Sequence, residues 1–194
     1  MKLIQKNLSD PPKKYRPIPF WSWNEKLHTD ETAWQIDQME KAGIGGYFMH
    51  ARGGLQTEYM GEEWMDNIRC GIHEGEKRGM GAWGYDENGW PSGFGGGIVN
   101  GLGVKYQQKY LRYEIVEGEK NDTYTICCLP FEGKWIHMYY DVNPFYVDTL
   151  DTEVIAKFIE VIHVTYQKEL GEDFTKMAGF FTDEPQISRN GIPW

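Results

Sequence analysis

Apolar positions change period along this chain, and each change marks an element. Ile18–Trp23 is apolar and aromatic and reads as a strand, with Pro11, Pro12 and Pro17 keeping residues 1–17 ahead of it extended, as a leader segment. Thr29 or Asp30 can cap a helix, and Glu31 suits the positive end of that helix. Ala33, Ile36 and Met39 share one face before Gly43 stops it. Ile44–His50 is a nearly continuous apolar run, the pattern of a parallel strand buried on both faces. Gly61-Glu62-Glu63 opens a second helix, with Trp64, Ile68 and Ile72 every fourth residue and Gly79 at its end. Met80–Tyr85 is the third strand. Strand, helix, strand, helix, strand in this order predicts parallel βαβ units, in a barrel or a doubly wound sheet.

The period then falls to two. Leu111–Ile115, Tyr124–Cys127 and Trp135–Tyr139 alternate like antiparallel strands, linked by turn-rich stretches at 117–122 and 132–134. They predict a small antiparallel β subdomain inserted between the third strand and its helix. The helix returns at Asp151, with Val154, Ile155, Phe158, Ile159, Ile162 and Tyr166 as its apolar face and Gly171 as its stop. Lys176–Phe181 is the fourth parallel strand. The expected organisation is an extended leader over 1–17, three βα units over 18–104, the insertion over 105–148, and the third helix, fourth strand and following loop over 149–194. The fold class is α/β, a partial (β/α) TIM barrel with about four βα units, where a complete barrel needs eight. The chain is expected to be a fragment of a longer protein or a half completed by a partner. An isolated half exposes two strand edges, which favours a homo-oligomer or the remaining barrel half as partner.

Composition narrows the function. The formal charge of −9 and pI of about 5.1, without a basic stripe, exclude nucleic acid as the expected partner. No apolar run approaches a membrane span, and the polar stretch from Met1 to Arg16 lacks the apolar middle of a signal peptide, so the chain reads as cytoplasmic. Three cysteines fit neither a disulfide framework nor a zinc pattern. Cys70 belongs in a helix, and Cys127-Cys128 in a strand. Aromatics make up 15%, with 8 Trp and 12 Tyr. Aromatic faces suit sugar rings as well as packing.

In parallel barrels the chemistry gathers where strands end. Those ends carry Trp21, Trp23 and Asn24, then His50 and Arg52, then Tyr85, Asp86, Glu87 and Trp90, then Asp183 and Glu184. Carboxylates, a histidine, an arginine and aromatics together predict a carbohydrate site. Glycoside hydrolysis needs two carboxyl groups, an acid and a base or nucleophile. Glu184 is the candidate acid and Asp183 its neighbour; the alternative is that one of them caps the turn before Pro185. The second carboxylate is expected outside this chain, with Asp86 and Glu87 as in-chain alternatives that can instead bind sugar hydroxyls. His50 and Arg52, two apart, share a face and can hold hydroxyls or a carboxylate. Arg52 can alternatively pair with Asp86. Tyr59 joins the same wall, whereas Trp64 belongs to the core. The glycine-rich loop 88–97 lacks a phosphate-loop lysine and suits a pocket wall. His28, His73, His137 and His163 read as structural or solvent-facing. Barrel carboxylates can hold calcium, although no spacing here marks such a site.

These residues carry a resemblance. The stretches Pro19–Asn24, Gly43–Gly46, Glu62–Trp64 and Tyr85–Gly93 resemble the N-terminal barrel half of bacterial proteins related to glycoside hydrolase family 106, the α-L-rhamnosidase group, and Phe181–Pro185 resembles the acid-bearing strand of such barrels. The resemblance implies a (β/α)8 catalytic domain within a large multidomain protein. It also implies inverting cleavage of α-L-rhamnosides from plant polysaccharides, with calcium assisting substrate binding. The chain departs from the group in stopping after the fourth strand and in its Asp86–Gly93 loop. A non-catalytic carbohydrate-binding half barrel, acting alone or as a dimer, is the alternative, and a stable fragment without function of its own is the third.

Overall fold

A computed structural model describes residues 2–187 and 192–193. The last part of the loop expected after the fourth strand, 188–191 and 194, lies outside the described residues. Elements follow in the order α1 (Lys2–Ser9), β1 (Phe20–Trp23), α2 (Thr29–Lys41), β2 (Gly46–Ala51), α3 (Glu62–Arg78), β3 (Gly81–Asn88), β4 (Gln107–Val116), β5 (Thr125–Phe131), β6 (Lys134–Val147), α4 (Thr152–Ile159), α5 (Thr165–Leu170), β7 (Gly179–Phe181) and β8 (Ile192–Pro193). The chain divides into two compact units, Met1–Trp90 with Ile162–Asp183, and Pro91–Val161 with Glu184–Trp194.

The first unit holds a parallel sheet in the order β1-β2-β3-β7. Its register pairs Ser22 with His50, Phe48 with Trp83, and Tyr85 with Phe181. Side chains alternate between the two sheet faces. On one face Tyr47, Met49 and Ala82 are buried, together with Trp64, Ile68 and Ile72 of α3. Glycines let α3 approach closely. A Cβ at Gly71 would sit 2.5 Å from the Met49 sulfur, and the Tyr47 hydroxyl donates to the Gly71 carbonyl at 2.7 Å. Trp64 Nε1 donates to the Tyr166 hydroxyl at 2.8 Å, tying α3 to α5. Gly79 ends α3 in the left-handed conformation at φ 61°, as its sequence position predicts. The other face is aromatic: the rings of Phe20, Phe48, His50, Tyr85 and Phe181 pack on one another at centroid distances between 3.7 and 6.2 Å.

Two local expectations need correction. Residues 1–17 are not extended throughout: α1 forms because 2–9 contains no proline, and Pro11-Pro12 stop it. The fourth strand begins at Gly179 rather than Lys176, because Gly171–Lys176 winds into a 3-10 helix first.

The second unit holds an antiparallel sheet in the order β5-β6-β4-β8. Glu132 and Gly133, at φ 50° and 79°, turn β5 into β6, the pair of positive φ values that a two-residue hairpin requires. β4 pairs with β6 along its whole length, and β8 adds to the edge of β4. Inside this sheet His137 is fully buried and satisfied on both nitrogens, by Glu114 Oε1 at 2.9 Å and Thr125 Oγ1 at 2.8 Å. Asp151 caps α4 by accepting from the Glu153 amide at 2.8 Å.

Between α4 and α5 lies a π turn, Glu160–Val164. Val154, Phe158, Ile162, Tyr166 and Leu170 are all buried. They recur strictly every fourth residue, whereas an α-helix completes a turn in 3.6, so four such steps drift about 160° around a regular helix. A wider turn absorbs that drift.

Candidate functional site

The first unit's parallel strands end on one side with β2 and β3 out of step. Met49 pairs with Gly84 and Ala51 with Asn88, so two steps on β2 face four on β3. The bulged segment Tyr85-Asp86-Glu87 lies opposite His50 alone, a surplus of two residues. Bulges bend a strand and re-aim its side chains. All three of these residues are fully buried, although two are carboxylates. Glu87 Oε1 accepts from the Asn88 amide at 2.9 Å.

Tyr85 reaches β7's end: its hydroxyl lies 2.9 Å from Asp183 Oδ2, and 3.2 Å from the Gly89 carbonyl. Burial, then the Asp183 carboxylate, push the Tyr85 phenol well up, so it stays a donor throughout the physiological range. The His50 ring stacks against Tyr85 with centroids 3.7 Å apart. His50 is 3% exposed, and neither ring nitrogen has a hydrogen-bond partner of proper geometry. Burial, with the Arg52 charge adding to it, lowers its pKa from 6.5 to about 4, against the opposing pull of Asp183 and the Gly89 carbonyl. His50 is therefore a neutral imidazole with one donor and one acceptor to offer. Arg52 is exposed, its Nη1 3.5 Å from the Gly89 carbonyl, and it forms no ion pair with Asp86 among the described residues.

The remaining expected site residues fall elsewhere. Trp21 donates from Nε1 to Gln35 at 2.7 Å and packs on Tyr47, on the helix side of the sheet. Trp23 is buried against Trp64 with its Nε1 unpartnered. Tyr59 also packs on Trp64, its buried hydroxyl likewise unpartnered and pushed well up in pKa by that burial. Asn24 is exposed, and Trp90 is 38% exposed. Glu184 belongs to the second unit; it is exposed and sits at φ 44°, a left-handed backbone unusual for a side chain of its size.

No family model matches this chain, and no curated protein matches it. Among solved structures, the rhamnosidase from Novosphingobium sp. PP1Y is similar over 66% of this chain and 13% of its own, at 25% identity and a TM-score of 0.47. The chain thus spans 13% of that protein's length. No helix among the described residues is long and apolar enough to cross a membrane. No group of three or more His, Cys, Asp or Glu side chains that could hold a metal ion is found among the described residues.

The sequence reads His163 as structural or solvent-facing. The structure places its Nε2 3.5 Å from Asp86 Oδ2, which also accepts from the Thr182 hydroxyl at 2.5 Å. Thr182 lies within the Phe181–Pro185 stretch, whereas His163 does not stand out by motif. The usable signal is the every-fourth-residue apolar spacing, which calls for the π turn that carries His163. What the strand ends offer together is a phenol donor, a neutral imidazole and a carboxylate gathered at Asp183, an arrangement suited to polyhydroxylated ligands.

Proposed function

We propose that this chain forms part of the carbohydrate site of a glycoside hydrolase, with the parallel sheet as part of a (β/α) barrel. The observation that carries the reading is Asp183 held by Tyr85 beside the unpartnered, buried His50 at the ends of parallel strands. Strand ends on this side are where such barrels build their sites. Orphan polar atoms in a buried ring are costly unless something fills their valence, and sugar hydroxyls can both donate to and accept from an imidazole. The aromatic face of Phe20, Phe48 and Phe181 gives the apolar wall that sugar rings use.

Glu184 is the proposed general acid. Its left-handed backbone supports that reading, because strained non-glycine residues cluster where function over-determines the chain. Arg52, exposed beside Gly89, is the proposed hydroxyl or carboxylate clamp. α-L-Rhamnosides are the first substrates to try. The test compares the chain with Glu184→Gln and Asp183→Asn on p-nitrophenyl α-L-rhamnoside and other p-nitrophenyl glycosides, with calorimetric binding of the free sugars alongside. Hydrolysis lost and binding kept supports the assignment; undiminished hydrolysis in Glu184→Gln refutes the acid. Binding without turnover in the unaltered chain instead gives a non-catalytic carbohydrate-binding module.

A further inference from the structure

We infer that Asp86 acts from behind the site rather than in it, as a positioning residue that fixes Asp183 through Thr182, with the His163 ring set against it. The inference rests on the reading of Asp183 as a functional carboxylate.

Asp86 is fully buried in the middle of the β3 bulge. A buried carboxylate is costly unless it is hydrogen-bonded or charge-paired. Asp86 Oδ2 accepts from Thr182 Oγ1 at 2.5 Å and faces His163 Nε2 at 3.5 Å. Thr182 directly precedes Asp183, and Asp183 in turn accepts from Tyr85, the residue directly before Asp86. Two hydrogen bonds therefore cross between the same two pairs of neighbours in opposite directions: Tyr85 to Asp183, and Thr182 to Asp86. One such bond ties that strand end at a single point. Two, running antiparallel, fix both the height and the rotation of that strand end.

His163 completes the clamp from the helix layer. Its ring packs on Phe180 with centroids 5.0 Å apart, which holds it beside β7. Its place in the π turn matters, because a regular helix would turn this residue away from the Asp86 side. The side chain is 28% exposed, whereas Asp86 is sealed, so His163 lies between the buried carboxylate and water.

The experiment reads Tyr85 directly in the full chain, by the 13Cζ resonance of labelled tyrosine, which reports the hydrogen bond of the phenol. Asp183→Asn defines the displacement produced by losing the carboxylate. Thr182→Val, near-isosteric and the least disturbing of the set, is expected to move Tyr85 by at least half of that displacement. Asp86→Asn and His163→Leu should do likewise, whereas His163→Gln, which keeps a donor in place of Nε2, should restore most of the native position. A Tyr85 resonance unmoved by Thr182→Val, while Asp183→Asn moves it, overturns the clamp. An unmoved resonance in Asp183→Asn overturns the geometry beneath it. On glycoside hydrolysis the clamp predicts a loss in kcat of between about 10-fold and 100-fold for Thr182→Val with KM unchanged, the effect of a small misplacement of a reacting group. Hydrolysis that survives Asp183→Asn refutes the functional reading alone, since the tyrosine resonance still decides the clamp.

Discussion

Each unit of this protein buries one histidine within its sheet, and the two are treated oppositely. In the antiparallel unit His137 is sealed and both its nitrogens are engaged, by Glu114 and Thr125. In the parallel unit His50 is almost as buried, but both nitrogens are left without partners of proper geometry. Burial alone therefore does not describe a polar group; the state of its hydrogen-bonding valence differs between the two histidines. His137 finds its partners within its own sheet, one of them from the neighbouring strand β4. His50 stands at a strand end, where the parallel layer runs out of backbone to satisfy it and a ligand can take over.

That contrast can be broken experimentally. The largest effect is expected at the proposed acid: Glu184→Gln should lower glycoside hydrolysis by about 100-fold to 10,000-fold, the usual worth of a general acid, as initial rates on p-nitrophenyl substrates will register. Replacing each histidine by the similarly sized leucine comes next. His137→Leu removes the hydrogen bonds to Glu114 and Thr125 made from a sealed position and should cost about 1–3 kcal/mol in urea unfolding. His50→Leu strands nothing and should change stability by under about 1 kcal/mol, while weakening sugar binding about tenfold, the worth of one good hydrogen bond. Equal destabilisation by the two substitutions would erase the distinction.

A pH series sharpens the same point. The folded pKa of His50 is lowered from 6.5 to about 4, so between these values the unfolded chain takes up a proton that the folded chain refuses. The contribution of His50 is whole above about pH 6.5 and declines as the pH falls toward 4. Relative to His50→Leu, the native chain should lose roughly 1–2 kcal/mol between pH 7 and pH 5, seen as a lower urea midpoint. A further substitution tests the antiparallel unit's cap: Asp151→Ala should cost about 1 kcal/mol in the same assay.

Much of the fold was legible in the sequence. The change from helical repeats to alternation near Tyr106 marks where β4 begins at Gln107, and Gly79 ends α3 where its position predicts. The strand carrying Asp86 was legible too, but not the two surplus residues that form its bulge, because register depends on the neighbouring strand rather than on local pattern. Of the candidate site, the trio of His50, Tyr85 and Asp183 meets in the structure. Trp21 shows why others did not join it. An aromatic next to a strand end faces the site or the helices according to parity alone, and Trp21 has the parity that points to Gln35 of α2. His163 escaped for a third reason. A π turn is announced by spacing, not by residue type, and attention to composition passes over it.

The π turn at Glu160–Val164 also makes this helix sensitive to length in a way that substitution does not reveal. Deleting one residue there would return the segment to a regular α-helix and rotate the residues beyond it by about 100°. Ile162, Tyr166 and Leu170 would leave their buried face together, and His163 would part from Asp86. Among natural variants of this chain, single-residue insertions and deletions should therefore be far rarer between Val154 and Leu170 than conservative exchanges of the same side chains. A reading frame of four, once set, tolerates rewriting far better than it tolerates slipping.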